Sequence, residues 1–308
     1  MKNIDYQGIL YGIIALICLI GAGLFVTRGR APSSVETTGG RYCSAAGIFT
    51  NIKPIQSHRS YCLRSDSNGK TYSVNTPIYP ERSRRNEYSF SVVDDRGDTL
   101  KNFAITHTKP MHVIVVRKDL QYFQHIHPEF NQATGVFIFK DLTFPADGVY
   151  RIFADFAPGG GQQHAMGMSL PVTISEDVSV GAGSQYIVKP LGSEEKVKTF
   201  NGYRISLSSD QPLVAGREVM LMFNLRQDGR PITDLQQYLG ALGHSIILRE
   251  DSLDFIHAHP MEDSNRPQTG EVGFMVNFPE SGRYKIFTQF QRGGKVFTTD
   301  FVVAVAKD

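Results

Sequence analysis

Six histidines carry the first chemical signal. Met111 to Pro128 reads His-x12-His-x-His-Pro, and Gly243 to Pro260 repeats that frame. The residues are His112, His125 and His127, then His244, His257 and His259. Four of the twelve spacer positions are identical between the copies, so the spacer has drifted while the histidine frame has not. Three neutral imidazoles converging on one point can bind a divalent or cuprous ion at about 2 Å and leave a coordination position open. That open position suits exchange, storage or catalysis equally.

The spacing implies the elements that must hold these rings. Val113 to Val116 and Ile246 to Leu248 are apolar, β-branched runs that read as strands. Lys118-Asp119 and Glu250-Asp251 stand where a hairpin turns. A two-residue loop sets His112 opposite His125; a four-residue loop sets it opposite His127. In either register all three rings share a face, because residues two apart on a strand point the same way. The same holds for His244 with His257 or His259. Proline after the last histidine ends the ladder. The competing reading is a structural hairpin whose histidines bond backbone carbonyls or each other.

Further donors stand elsewhere. His164, Met166 and Met168 alternate, and thioether with imidazole suits Cu(I); Met168 also fits a core-facing run with Leu170, Val172 and Ile174. Matching Gly160-Gly161 to Gly293-Gly294 sets His164 on Phe297, Met166 on Thr299 and Met168 on Phe301. The first domain is then expected to hold Cu(I) more tightly. Cys43 and Cys62 are expected to form a disulfide if the chain is exported. His58 between them has no close Cys-x-x-Cys partner. Asp254 and Glu262 flank the second cluster and read as solvated surface residues. No nucleophile elbow and no phosphate-binding glycine loop leading into a helix is present, so no enzyme is expected.

The chain has 308 residues, and a net charge of +2 makes no electrostatic case for nucleic acid. Gly8 to Val26 is apolar, uncharged and long enough to cross a bilayer. It reads as an uncleaved transmembrane anchor at 1–30, followed by a Pro/Ser/Thr/Gly linker at 31–42. Arg28, Arg30 and Arg41 after the span argue for a cytoplasmic domain by charge bias; the cysteine pair and the β-rich sequence argue for export across the cytoplasmic membrane. From Tyr72 onward short strands alternate with turns. Phe144-Pro145 with Gly148-Val-Tyr150 recurs as Phe278-Pro279 with Gly282-Arg-Tyr284. The repeat thus spans a whole domain. The expected architecture is all-β: two tandem immunoglobulin-like or cupredoxin-like β-sandwiches at 43–176 and 194–308, joined by a linker at 177–193. A short turn of helix is expected near Leu235 to Leu242.

The two His-x-His-Pro hairpins, each followed by Phe-Pro-x-x-Gly-x-Tyr, resemble a group of exported bacterial proteins with immunoglobulin-like domains. Some of these accompany copper or heavy-metal handling proteins. The resemblance covers Asn86 to Val305; Tyr42-Cys43-Ser44 does not reproduce the Cys-Pro-Met-His-Pro module of some relatives. The leading expectation, from the apolar run and the histidine spacing, is a membrane-anchored, extracytoplasmic protein with one three-histidine site per domain. Copper is the ion expected and zinc the alternative, for buffering or for delivery to a metal-accepting protein. A structural or adhesive module without metal is the second reading, and a metal-dependent enzyme the third.

Overall fold

The computed structural model describes residues 64–65, 71–75, 86–159, 172–181, 187–260 and 267–308. The Gly8–Val26 run, Cys43, Cys62, His58, His164, Met166, Met168 and Glu262 lie outside the described residues. Among the described residues no helix is long and apolar enough to cross a membrane.

The first half is a sandwich of two antiparallel sheets. One runs β1 (Arg64–Ser65), β2 (Thr71–Asn75), β3 (Asn86–Asp94), β8 (Val136–Leu142), β7 (Glu129–Asn131). The other runs β10 (Val172–Val180), β9 (Gly148–Pro158), β5 (His112–Arg117), β6 (Phe123–Ile126), with β4 (Phe103–Ala104) on β9. The second half repeats the plan. One sheet holds β11 (Val197–Phe200), β12 (Tyr203–Ser209), β13 (Glu218–Gln227), β14 (Arg230–Pro231) and β17 (Glu271–Asn277). Its partner runs β16 (Phe255–Ala258), β15 (His244–Arg249), β18 (Gly282–Arg292), β19 (Lys295–Val305).

In the first half the order β2-β3-β8-β7 in one sheet and β10-β9-β5-β6 in the other is that of immunoglobulin domains. The repeated Gly-x-Tyr explains a second hallmark. Gly148 and Gly282 open β9 and β18 at φ of 145° and 143°, which a side chain rarely adopts. Two residues on, the Tyr150 hydroxyl donates to Ala146 O and the Tyr284 hydroxyl to Glu280 O, both at 2.8 Å. These are the tyrosine corners of the fold.

Each half has its own core. Val113, Val115, Tyr150, Ile152 and Phe156 face inward in the first, and Ile247, Tyr284, Ile286 and Phe290 in the second. The intervening residues are apolar too. Ile114, Val116, Leu120 and Phe153 pack with Ile246, Leu248, Leu253, Phe287 and Val302 in a third buried cluster. Phe123 stacks on Phe287 and Phe153 on Phe255, with ring centres 4.5 and 5.1 Å apart. The sheets that hold the two histidine hairpins are therefore pressed together face to face. Leu191, from the connecting segment, joins the same cluster, and its carbonyl accepts from Arg283.

Two local expectations change. Leu235 to Leu242 is not helical: Tyr238 and Ala241 exchange backbone hydrogen bonds across Leu239-Gly240, both at positive φ. That is a tight turn of primed type, for which Gly240 is suited. The break expected at 177–193 begins later, because β10 continues to Val180 with Val178 and Val180 buried in the first core.

Candidate functional site

Strand pairing builds the site in layers. Val116 pairs with Phe123 and Ile114 with His125, leaving Lys118 to Gln121 as a four-residue loop. His112 thus falls in line with His127. In the second half Leu248 pairs with Phe255 and Ile246 with His257, so His244 falls in line with His259. Each hairpin aims its histidines to the side of Ile114 or Ile246, which is the side buried against the other half.

The six rings consequently meet at one interface, not at one site per domain. The His112 and His244 rings lie nearly parallel with centres 5.7 Å apart. Two groups of three have ligating nitrogens all within 4.8 Å of one another: His112, His125 and His244, and His244, His257 and His259. His244 belongs to both, and the first group mixes residues of the two halves. His127 is adjacent, with its ring centre 5.0 Å from His112 and 4.5 Å from His125. The expectation of separate sites took each hairpin by itself. That face is as apolar as the inner one and has to be covered.

Hydrogen bonds assign the tautomers. His112 Nε2 donates to Thr106 O at 3.0 Å, so its Nδ1 is bare in the neutral ring. His125 Nδ1 donates to Gln289 Oε1 at 2.8 Å, so its Nε2 is bare. Those two bare nitrogens face each other at 3.2 Å. His257 Nδ1 donates to Asp155 Oδ2 at 3.0 Å and turns its Nε2 toward His244 Nε2. His259 Nε2 lies 3.3 Å from the same atom. His127 Nε2 and His244 Nδ1 are buried with no hydrogen-bond partner. Among buried polar atoms such orphans are rare.

A proton does not fill these gaps well. Burial is the main cause that pushes His125 down to about 3, and His127 and His259 down to about 2. Burial also lowers His112 and His244, and lowers His257 strongly, with neighbouring imidazoles adding to the effect on His257. The Asp155 carboxylate opposes the fall at His112 and His107, yet the rings crowd one another too closely for several to be cationic.

Four contributors were not singled out by sequence. His107 sits at φ 50° in a tight turn and stacks on His259, with ring centres 3.5 Å apart; burial pushes it down to about 4. Asp155 pairs with His112 on the adjacent strand, and Gln289 pairs likewise with His244. Thr173 donates to Asp155 at 2.8 Å. A polar residue beside the aromatics, Asp155 between Ala154 and Phe156 and Gln289 before Phe290, was the available signal, since buried polar groups are the informative ones.

The matching of His164 with Phe297 does not hold. Val172 pairs with Phe156 as Phe297 pairs with Phe290, and Thr173 with Asp155 as Thr298 with Gln289. Val172 therefore takes the place of Phe297. Residues 160–171 lie outside the described residues, while Gly293-Gly294 alone joins β18 to β19.

These features define a class: a tandem pair of immunoglobulin-type sandwiches with a histidine-filled interface. Residues 65–173 and 198–307 match one family model, described as a domain of unknown function (DUF8832). The chain belongs to that family, with two copies that cover more than two thirds of its length. No curated protein matches significantly. Solved structures with local likeness include the Escherichia coli adhesin FdeC, at 12% identity and TM-score 0.24, covering 79% of this chain and 65% of that one. Salmonella alpha-2-macroglobulin matches at 15% and 0.25, over 83% and 16% of the two chains. The titin domains z1z2 match at 11% and 0.17, over 81% and 95%. At such scores the overall arrangement is not shared, and nothing about function passes from them to this chain.

Proposed function

We propose that this protein binds a metal ion at the interface between its two sandwiches, for buffering or delivery and not for catalysis. One observation carries the reading. The bare nitrogens of His112 and His125 face each other at 3.2 Å in a buried setting that disfavours a proton. Two lone pairs so placed repel unless a cation lies between or beside them. His244 and His259 offer further imidazole nitrogens, and His127 stands ready as an alternate donor. An all-imidazole set suits copper or zinc, and copper is the ion this proposal takes. An N-terminal anchor holding the sandwiches outside the cytoplasm, a Cys43–Cys62 disulfide, and extra Cu(I) donors at His164 and Met166 belong to the proposal as sequence expectations. So does a metal-accepting partner.

The test is metal analysis of untagged protein, followed by titration of the metal-free form with Cu(II), Cu(I) and Zn(II). Tight uptake of at least one ion per chain is expected. Uptake no stronger than that of a variant with all six interface histidines changed to Ala overturns the reading.

A second reading rests on its own observation. His125 to Gln289 and His257 to Asp155 are hydrogen bonds between the halves. On that reading the histidines only rivet the two sandwiches of a structural module. The same titration separates the two, because a rivet has no need of an ion.

A further inference from the structure

The two histidine groups have unequal backing, and the inequality sits at one pair of repeat-equivalent positions. Asp155 faces His112 across the β5–β9 ladder, and Gln289 faces His244 across the β15–β18 ladder. Each also reaches across the interface. Asp155 reaches into the other half to take the Nδ1–H of His257, at 3.0 Å. Gln289 reaches the opposite way to take the Nδ1–H of His125, at 2.8 Å. Behind each stands an equivalent threonine. Thr173 donates to Asp155 Oδ1, while Thr298 accepts from Gln289 Nε2 at 3.4 Å, which turns Gln289 Oε1 toward His125. Geometry is thus matched, and charge is not. A carboxylate behind an imidazole raises the basicity of its far nitrogen and adds a negative charge near the ion; a carboxamide only orients the ring.

We infer that Asp155 is a positioning residue that makes the His244–His257–His259 group the first to fill with a divalent cation, while the Gln289-backed His112–His125–His244 group is the weaker. The inference rests on the metal reading above. It follows that each half tunes the hairpin of the other, so neither sandwich alone contains its complete site. His244 is counted in both groups. An ion held in the Asp155-backed group therefore withholds that ring, or one nitrogen of it, from the other.

The experiment is a Cu(II) titration of the metal-free full chain followed by electron paramagnetic resonance. Wild type at one equivalent should give a single spectrum. His125→Ala, which keeps the Asp155-backed group intact, should reproduce that spectrum, and His257→Ala should not. Asp155→Asn keeps an oxygen for the His257 N–H and removes the charge. It should weaken the first equivalent about 10- to 100-fold, the range typical of such outer partners, and shift its spectrum toward that of His257→Ala. Gln289→Glu gives the second group a carboxylate, so at one equivalent both spectra should appear together. First-equivalent affinity and spectrum unchanged in Asp155→Asn overturn the inference. Should Asp155→Asn not fold, Gln289→Glu decides alone: a single wild-type spectrum at one equivalent overturns it. A wild-type chain that takes up no Cu(II) defeats the metal reading instead.

Discussion

The two halves share what presses them together and differ in what surrounds the histidines. Phe123 and Phe255, Phe153 and Phe287, and Ile114 and Ile246 are equivalent pairs, and every one is part of the interface. Around the rings the matches fail. Asp155 stands where the second half has Gln289. His107, in a tight turn and stacked on His259, stands where the second half has Leu239 in an equivalent turn. Met111, fully buried before His112, stands where the second half has Gly243, at which any Cβ would press on Phe290 and Phe274. The packing surface is therefore twofold in character and the chemistry is not. A site between two unlike copies can have graded affinities that a site in either copy could not.

The comparison breaks most completely at His244, which both groups use. His244→Ala should abolish tight metal uptake, whereas His259→Ala should remove one group and leave the other. Metal per chain after exhaustive dialysis distinguishes them; equal retention by the two variants would show that His244 is not shared. Next in size are the aromatic pairs. Phe153→Ala and Phe287→Ala each empty a buried ring position, so each should destabilise the protein by about 3–5 kcal/mol in denaturant unfolding. A clear inequality between them would mean that the interface is not as symmetric as its residues.

Acid probes all the rings at once. His125, His127 and His259 are held below their usual range in the folded protein, at about 3, 2 and 2. The unfolded chain binds their protons from about pH 6.5 downward, so it holds more protons than the folded one and stability falls with falling pH. Metal-free protein should have its full stability above about pH 6.5. Below that it should lose up to about 1.4 kcal/mol per pH unit for each such ring, down to about pH 3. Urea midpoints at pH 7.5, 6 and 5 measure the slope, and a flat profile would mean that the rings are already solvated. The smallest effect is expected at the two turns. His107→Gly relieves a positive φ but removes the stack on His259, so stability should change by no more than about 1 kcal/mol while the second group weakens a few-fold. Leu239→Gly, at the equivalent turn, should leave metal uptake unchanged.

Much of the fold was legible because strand chemistry is local. Alternation, turn residues and the repeated Gly-x-Tyr pointed to two sandwiches, and hairpin parity put each histidine trio on one face. Less legible was what that face meets. Val113-Ile-Val-Val and Ile246-Ile-Leu are apolar without alternation, the pattern of strands buried on both sides. Taken at its word, that pattern calls for a covering layer, and the covering layer is the other half. The four contributors behind and above the rings escaped for a related reason. Asp155 and Gln289 lie 28 or more residues along the chain from the rings of their own hairpin, and His107 depends on a backbone conformation that its residue type does not announce.

The amino-acid sequence by itself determined the repeat, the hairpins and the shared face of each histidine set, because side-chain direction along a strand follows from its two-residue period. Only the tertiary structure decided that the two faces oppose each other, that His244 serves both groups, and that each half orients a ring of the other. Those facts depend on contacts between residues more than 100 positions apart, such as His257 with Asp155 and His125 with Gln289. No local periodicity encodes such contacts; burial of two apolar sheet faces against each other brings them about.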